Sequence, residues 1–130
     1  MLILTIRTDK PEAEIGLFED NVKLAYEKWQ AHRQLAETIY QKIEALLKSQ
    51  KKDWQHIEGI VCFQGPGSFT GLRIGLTVAN TLSYGLQIPI VATQKEDWIE
   101  KGIKRLKDGD NDQQALPEYG APVHITLPKR

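Results

Sequence analysis

The sequence predicts an α/β domain built on a five-stranded mixed sheet with helices on its faces. Three observations carry this. The first third reads as short strands joined by tight turns. Hydrophobic spacing then switches to a helical period. From Ile57 onward, strand-like and helix-like stretches alternate. A meander followed by strand–helix alternation places antiparallel and parallel pairs in one sheet.

Leu2 to Ile6 is a short apolar, β-branched run, as a buried strand is. Thr8-Asp9-Lys10-Pro11 is a turn, because Pro11 lacks an N–H and biases Lys10 away from helix. Ala13 to Phe18 is the second strand, and Glu19-Asp20-Asn21 supplies hairpin chemistry. Val22 to Trp29 alternates apolar and polar residues, the signature of a half-exposed third strand. Leu35, Ile39, Ile43 and Leu46 then recur at three and four residues, predicting an amphipathic helix over Arg33–Gln50. Ile57 to Phe63 reads as a central strand and Thr70 to Leu86 as a second helix. Ile88 to Ala92 is a further buried strand and Trp98 to Leu106 a charged surface helix. Residues 1–107 are expected to form the domain, and 108–130 a polar linker and extended tail.

Composition narrows function. The chain has 130 residues, 41% hydrophobic and 26% charged, enough for one core. Its 17 basic and 17 acidic residues cancel, which argues against a generic polyanion binder. The single cysteine, Cys62, excludes an intramolecular disulfide and any cysteine-cluster metal site. No stretch approaches the roughly 20 apolar residues of a membrane helix. The N-terminal Met-Leu-Ile-Leu-Thr lacks the features of a signal peptide, so the expected location is the cytoplasm.

The segment Gly65-Pro-Gly-Ser-Phe-Thr-Gly-Leu-Arg-Ile-Gly75 is the most informative. A glycine-rich turn from a buried strand into a helix aims N–H groups at one spot, which suits an anion. It equally makes a tight connection, with glycines at positive φ and Ser68 or Thr70 as N-cap. The Gly-Lys-Ser/Thr ending of a P-loop is absent. The helix that follows carries one charge, Arg73, and is apolar around most of its girth. Gly71, Gly75, Ala79 and Ser83 form a strip of small residues, which permits close helix approach. Either the first helix or another protein covers that strip.

This glycine-rich segment resembles the hallmark of the bacterial TsaB (YeaZ) family of tRNA threonylcarbamoyladenosine biosynthesis proteins, once labelled glycoproteases. The resemblance covers about residues 1–106, and the tail Pro117–Lys129 is similar to the end of some full-length members. It implies a single actin-like (ASKHA, ribonuclease-H-like) domain. It also implies a non-catalytic scaffold subunit that heterodimerises with the catalytic TsaD subunit and is joined by the ATPase TsaE. In that picture tRNA is met through the complex, ATP and metal sit on the partners, this chain holds no cofactor or metal, and a homodimer forms when the partner is absent. The family's interface is made by the first two helices. Mapped here, it falls on Leu35, Ile39, Ile43, Gly71, Leu72, Gly75, Leu76, Ala79 and Ser83, beside the motif loop Gly65, Pro66, Gly67, Ser68, Phe69, Thr70 and Arg73.

Two departures stand out. The family's first strand carries Asp in an Ile-Asp-Thr context, where this chain reads Ile6-Arg7-Thr8. A cation there argues against metal–nucleotide chemistry. The family's second actin-like lobe has no counterpart between Leu106 and the tail, so the expectation is a minimal form that cannot build an interlobe nucleotide cleft alone.

Other chemistry has less support. His32, His56 and His124 make no metal-binding spacing, Ser68 sits in no nucleophile elbow, and Cys62 lies inside an apolar strand. The competing function is a small nucleotide- or phosphate-binding enzyme using the Gly65–Gly71 loop.

Overall fold

The fold is described from a computed structural model, which covers residues 1–67 and 69–118. Ser68 and the tail from Tyr119 to Arg130 lie outside the described residues. The strands are β1 (Leu2–Arg7), β2 (Glu12–Glu19), β3 (Val22–Gln30), β4 (Gly59–Phe63) and β5 (Ile90–Thr93). The helices are α1 (Leu35–Ser49), α2 (Phe69–Leu86) and α3 (Trp98–Lys107). All five strands form one sheet in the order β3-β2-β1-β4-β5. The meander pairs antiparallel, with Thr5 opposite Gly16 and Gly16 opposite Tyr26. β4 and β5 add in parallel, with Thr5 opposite Val61 and Val61 opposite Val91. The mixed five-stranded sheet is therefore as the sequence predicts.

The pleat sorts side chains onto two cores. Leu4, Ile6, Ile15, Leu17 and Ile60 point to one face, where α1 packs Ile39, Ile43 and Leu47 against them. Ile3, Val61 and Val91 point to the other, under Trp98, Ile103 and Leu106 of α3. α1 and α2 thus share one face, and α3 holds the other.

Element boundaries differ from the sequence reading by one or two residues, for local reasons. α1 begins at Leu35 because His32–Gln34 form a 3-10 turn. A second 3-10 turn, Trp54–His56, is closed by a capping box between Asp53 and His56. It delays β4 until Gly59. β5 starts at Ile90 because Ile88 is tied to the end of α2, its N–H and carbonyl both bonded to Ser83. Pro89 has no N–H to give.

Residues 108–118 are not suspended in solvent. The Asp112 N–H donates to the Ile90 carbonyl at 2.8 Å. The side chains of Asn111 and Asp112 accept from the N–H groups of Ile90 and Ala92. Arg105 of α3 holds Asp110 and Asp112 from behind. Ala115 and Asn80 of α2 bond reciprocally, at 2.7 and 3.0 Å. The Glu118 N–H then reaches the Gln64 carbonyl at 2.8 Å. The segment is a strap from the β5 edge across α2 to the glycine-rich loop.

Two glycines separate packing from propensity. A Cβ on Gly102, at the middle of α3, would fall inside van der Waals contact of the Val61 methyls. A Cβ on Gly85, near the end of α2, would meet nothing within 4 Å. Gly102→Ala should therefore destabilise the fold by about 1–3 kcal/mol. Gly85→Ala should stabilise it by about 0.5–1 kcal/mol. Thermal unfolding of the pair checks this: midpoints that move in the same direction would contradict the packing described.

Candidate functional site

The glycine-rich loop leaves β4 and turns into α2 directly above the β1–β2 turn. Gly65 holds φ at +121°, which disfavours any other residue there, and the Gly65–Pro66 bond is cis. Gly67 is pressed on Asp9, so a Cβ at 67 would overlap the Asp9 side chain. Thr8 donates its hydroxyl to the Gly71 carbonyl at 2.8 Å and lies against Gly75 with no room for a Cβ. Thr70 and Arg73 face outward from the first turns of α2.

Arg7 is not a loose surface cation. Its guanidinium forks onto Asp9, with Nε to Oδ1 at 2.8 Å and the second nitrogen to Oδ2 at 3.2 Å. It also stacks 3.9 Å from the centre of the Phe63 ring. The Asp9 carboxylate is nearly buried, at 7% side-chain exposure, against the loop. A carboxylate in that place opposes an incoming anion. Beside it, the Tyr26 hydroxyl donates to Glu14 at 2.6 Å. Burial, then the bond to Glu14, push the Tyr26 phenol well above its usual value. Burial likewise pushes the Cys62 thiol far up, with its sulfur next to the Val91 carbonyl. Cys62 is thus no nucleophile.

The small-residue strip points the other way from a docking surface. Gly75, Ala79 and Ser83 are buried against the turn after β1 and the end of the sheet, and Gly71 is half-buried there. Leu35, Ile39 and Ile43 of α1 and Leu72 and Leu76 of α2 are buried too. The strip's work is to seat α2 on its own sheet, so these side chains are closed to a partner while the chain is folded. The exposed face of the same helix pair holds different residues. Ala36 and Tyr40 of α1 and Thr70, Arg73, Ile74, Thr77 and Val78 of α2 line an open, mainly apolar groove of about 500 Å³. Tyr40 is 40% exposed and leans on Trp54, ring centres 6.4 Å apart. The sequence reading passed over Tyr40 because it lies one residue off the Leu35–Ile39–Ile43 stripe. An exposed aromatic beside an apolar stripe was the available signal. Among the described residues no cluster of three or more His, Cys, Asp or Glu gathers as a metal site would. Nor, among them, is any helix long and apolar enough to cross a membrane.

A family model described as TsaD, tRNA N6-adenosine threonylcarbamoyltransferase, matches residues 29–101. The chain belongs to the TsaB/TsaD family. The tRNA threonylcarbamoyladenosine biosynthesis protein TsaB of Bacillus subtilis is 34% identical over 99 residues, covering 76% of this chain and 43% of that protein. TsaB of Escherichia coli is 29% identical over 105 residues, covering 81% of this chain and 45% of that one. A tRNA N6-adenosine threonylcarbamoyltransferase of Geotalea daltonii is 41% identical over 95 residues, covering 73% and 28%. This TsaB/TsaD chain spans less than half the length of each. Among solved structures, YeaZ from Pseudomonas aeruginosa superposes with a TM-score of 0.67 at 23% identity, covering 78% of this chain and 50% of that one. RuvC from Thermus thermophilus, bound to a Holliday junction substrate, reaches 0.54 at 12% identity, covering 96% and 85%. These likenesses establish the actin-like, ribonuclease-H-like fold of this family member.

Two chemical consequences are measurable. Thiol reagents should leave Cys62 untouched in the native chain and label it fully in denaturant; rapid native labelling would contradict its burial. Replacing Tyr26 by Phe should remove no absorbance step near pH 10, where ordinary phenols titrate, and should remove a later one. Because the folded phenol is raised, the stability it contributes is fully present below about pH 10 and is lost as pH climbs through the folded value. A step missing at pH 10 in the Phe variant would overturn this.

Proposed function

We propose that this chain is a non-catalytic scaffold subunit of a cytoplasmic assembly that adds threonylcarbamoyl to adenosine in tRNA. It would dock the outer face of α1 and α2 on a TsaD-type catalytic subunit. A TsaE-type ATPase would join them, tRNA would be met through the complex, and a second copy would take the same face when the partner is absent. The observation that carries the reading is the open groove between Ala36 and Tyr40 on one side and Thr70 to Val78 on the other. It lies on the helix pair of a TsaB/TsaD family member, and family membership supplies the kind of partner. Sparse charge around an apolar centre is what a protein interface needs at its middle. The interface residues are therefore Ala36, Tyr40, Ile74 and Thr77, displaced by one helix face from the buried set expected from the sequence.

The competing reading, a phosphate-binding enzyme at the Gly65–Gly71 loop, meets a physical objection. The loop is packed on Asp9, whose negative charge is held in place by Arg7. ATP and metal are accordingly assigned to the partner subunits.

Thr77 and Ala36 are exposed, so large charged side chains there leave the core alone. Ala36→Glu and Thr77→Arg should each weaken co-elution with a TsaD-type subunit at least tenfold, equivalent to about 1.4 kcal/mol, with an unchanged melting temperature. Gly75→Glu should instead lower the melting temperature, since it strikes Thr8. Full co-elution of both surface variants would sink the docking face.

A further inference from the structure

We propose that Gln64, Gly65 and Asn80 form a binding site for an extended peptide, filled within the molecule by Gln114–Glu118 and open in trans to a like segment of a second polypeptide with a small residue at the Ala115 place. Backbone recognition makes the site. The Asn80 side chain accepts from the Ala115 N–H at 2.7 Å and donates to the Ala115 carbonyl at 3.0 Å. One amide thus engages both polar groups of one residue, as a neighbouring strand would. Gln64 does the same further along. Its side chain donates to the Leu116 carbonyl at 2.9 Å, and its own carbonyl accepts from the Glu118 N–H at 2.8 Å. Gly65 completes the cradle. A Cβ there would overlap the Glu118 carbonyl, so peptide backbone takes the space that the missing side chain leaves.

The side chains of the segment take little part. Ala115 is 2% exposed, while Leu116 is 58% exposed and Gln114 and Glu118 are exposed too. One small side chain goes in and the next stands out, which is how strand addition divides affinity from selectivity. Pro117 has no N–H to leave unpaired and biases Leu116 toward extended backbone, so such a segment arrives preorganised. The segment is also separable from the rest of the strap. Asp110 and Asp112 are held by Arg105, and Asp112 by β5 as well. Gln113 then has a φ of +66°, an uncommon conformation for a residue with a side chain. Gln114–Glu118 can turn about Gln113 and leave the clasp on β5 in place. A short tether presents the segment at an effective concentration on the order of 1 mM. With an intrinsic dissociation constant of about 0.1 mM for the free peptide, the native chain binds it roughly tenfold more weakly than a chain whose own segment is displaced.

The probe is fluorescein-labelled Asp-Gln-Gln-Ala-Leu-Pro-Glu, the sequence of residues 112–118. Ala115→Arg in the full chain sets a long cation beside Arg73, which lines the hollow under the segment, and so displaces it. Fluorescence anisotropy should show the peptide binding this variant roughly tenfold more tightly than the native chain. Adding Asn80→Ala should abolish binding. In the peptide, Ala115→Arg should abolish binding and Leu116→Ser should leave it unchanged. A folded Ala115→Arg chain that binds no peptide overturns the proposal, as does binding that survives Asn80→Ala. Loss of binding with Leu116→Ser overturns it equally, because an apolar patch and not the backbone would then be recognised. The native chain gives a second reading that needs no variant. Unlabelled peptide titrated to several millimolar should move the Ala115 amide resonance toward its unbonded position, and a resonance that stays fixed throughout also counts against the site.

Discussion

The close packing of the glycine-rich loop and the start of α2 on the turn that follows β1 governs the rest of the architecture. Gly67 lies on Asp9, Gly71 accepts from Thr8, and Gly75 lies on Thr8 with no space for a side chain. A larger residue at Gly67 or Gly75 would push this segment off the turn after β1. With α2 seated this low, its small residues are spent on the interior. Ile74, Thr77 and Arg73 are left to face outward beside α1, and the groove exists because the helix sits where it does.

Much of this was legible in the sequence. The five strands and three α-helices follow from hydrophobic patterning, as a period in β3 and α1 and as apolar runs in β1 and β4. The glycine-rich segment pointed to the family. What period cannot give is the direction in which an all-apolar helix turns its small side. Gly75 and Ala79 look alike whether they meet another protein or Thr8. Only the distance across the sheet decides, and that is a property of residues nearly seventy positions apart in sequence. Thr70 and Arg73 were named with the motif loop, but Ala36, Tyr40 and Thr77 join them in one groove only when the two helices are placed.

The polar run after α3 was harder still. Asp108-Gly109-Asp110-Asn111-Asp112 has the composition of a linker. Its order comes from side chains that accept backbone hydrogen bonds from β5 and from Arg105, whose guanidinium binds two carboxylates at once. The bonds to β5 join residues 20 and 21 positions apart and leave no local signal. Composition reads solvent preference, and a strap that touches the sheet with its polar atoms has the same preference as one that does not.

The manner in which β5 is bonded has a bearing on self-association. An edge strand normally offers a row of free N–H and C=O groups that a second strand can extend. Here the amides of Ile90 and Ala92 are taken by carboxylate and amide side chains, which have no further ladder to offer. Growth of the sheet stops chemically on that side. On the opposite edge, exposed Lys23 and Lys28 of β3 place like charges where a second copy would have to pair. Both edges of the sheet thus resist extension by a further strand.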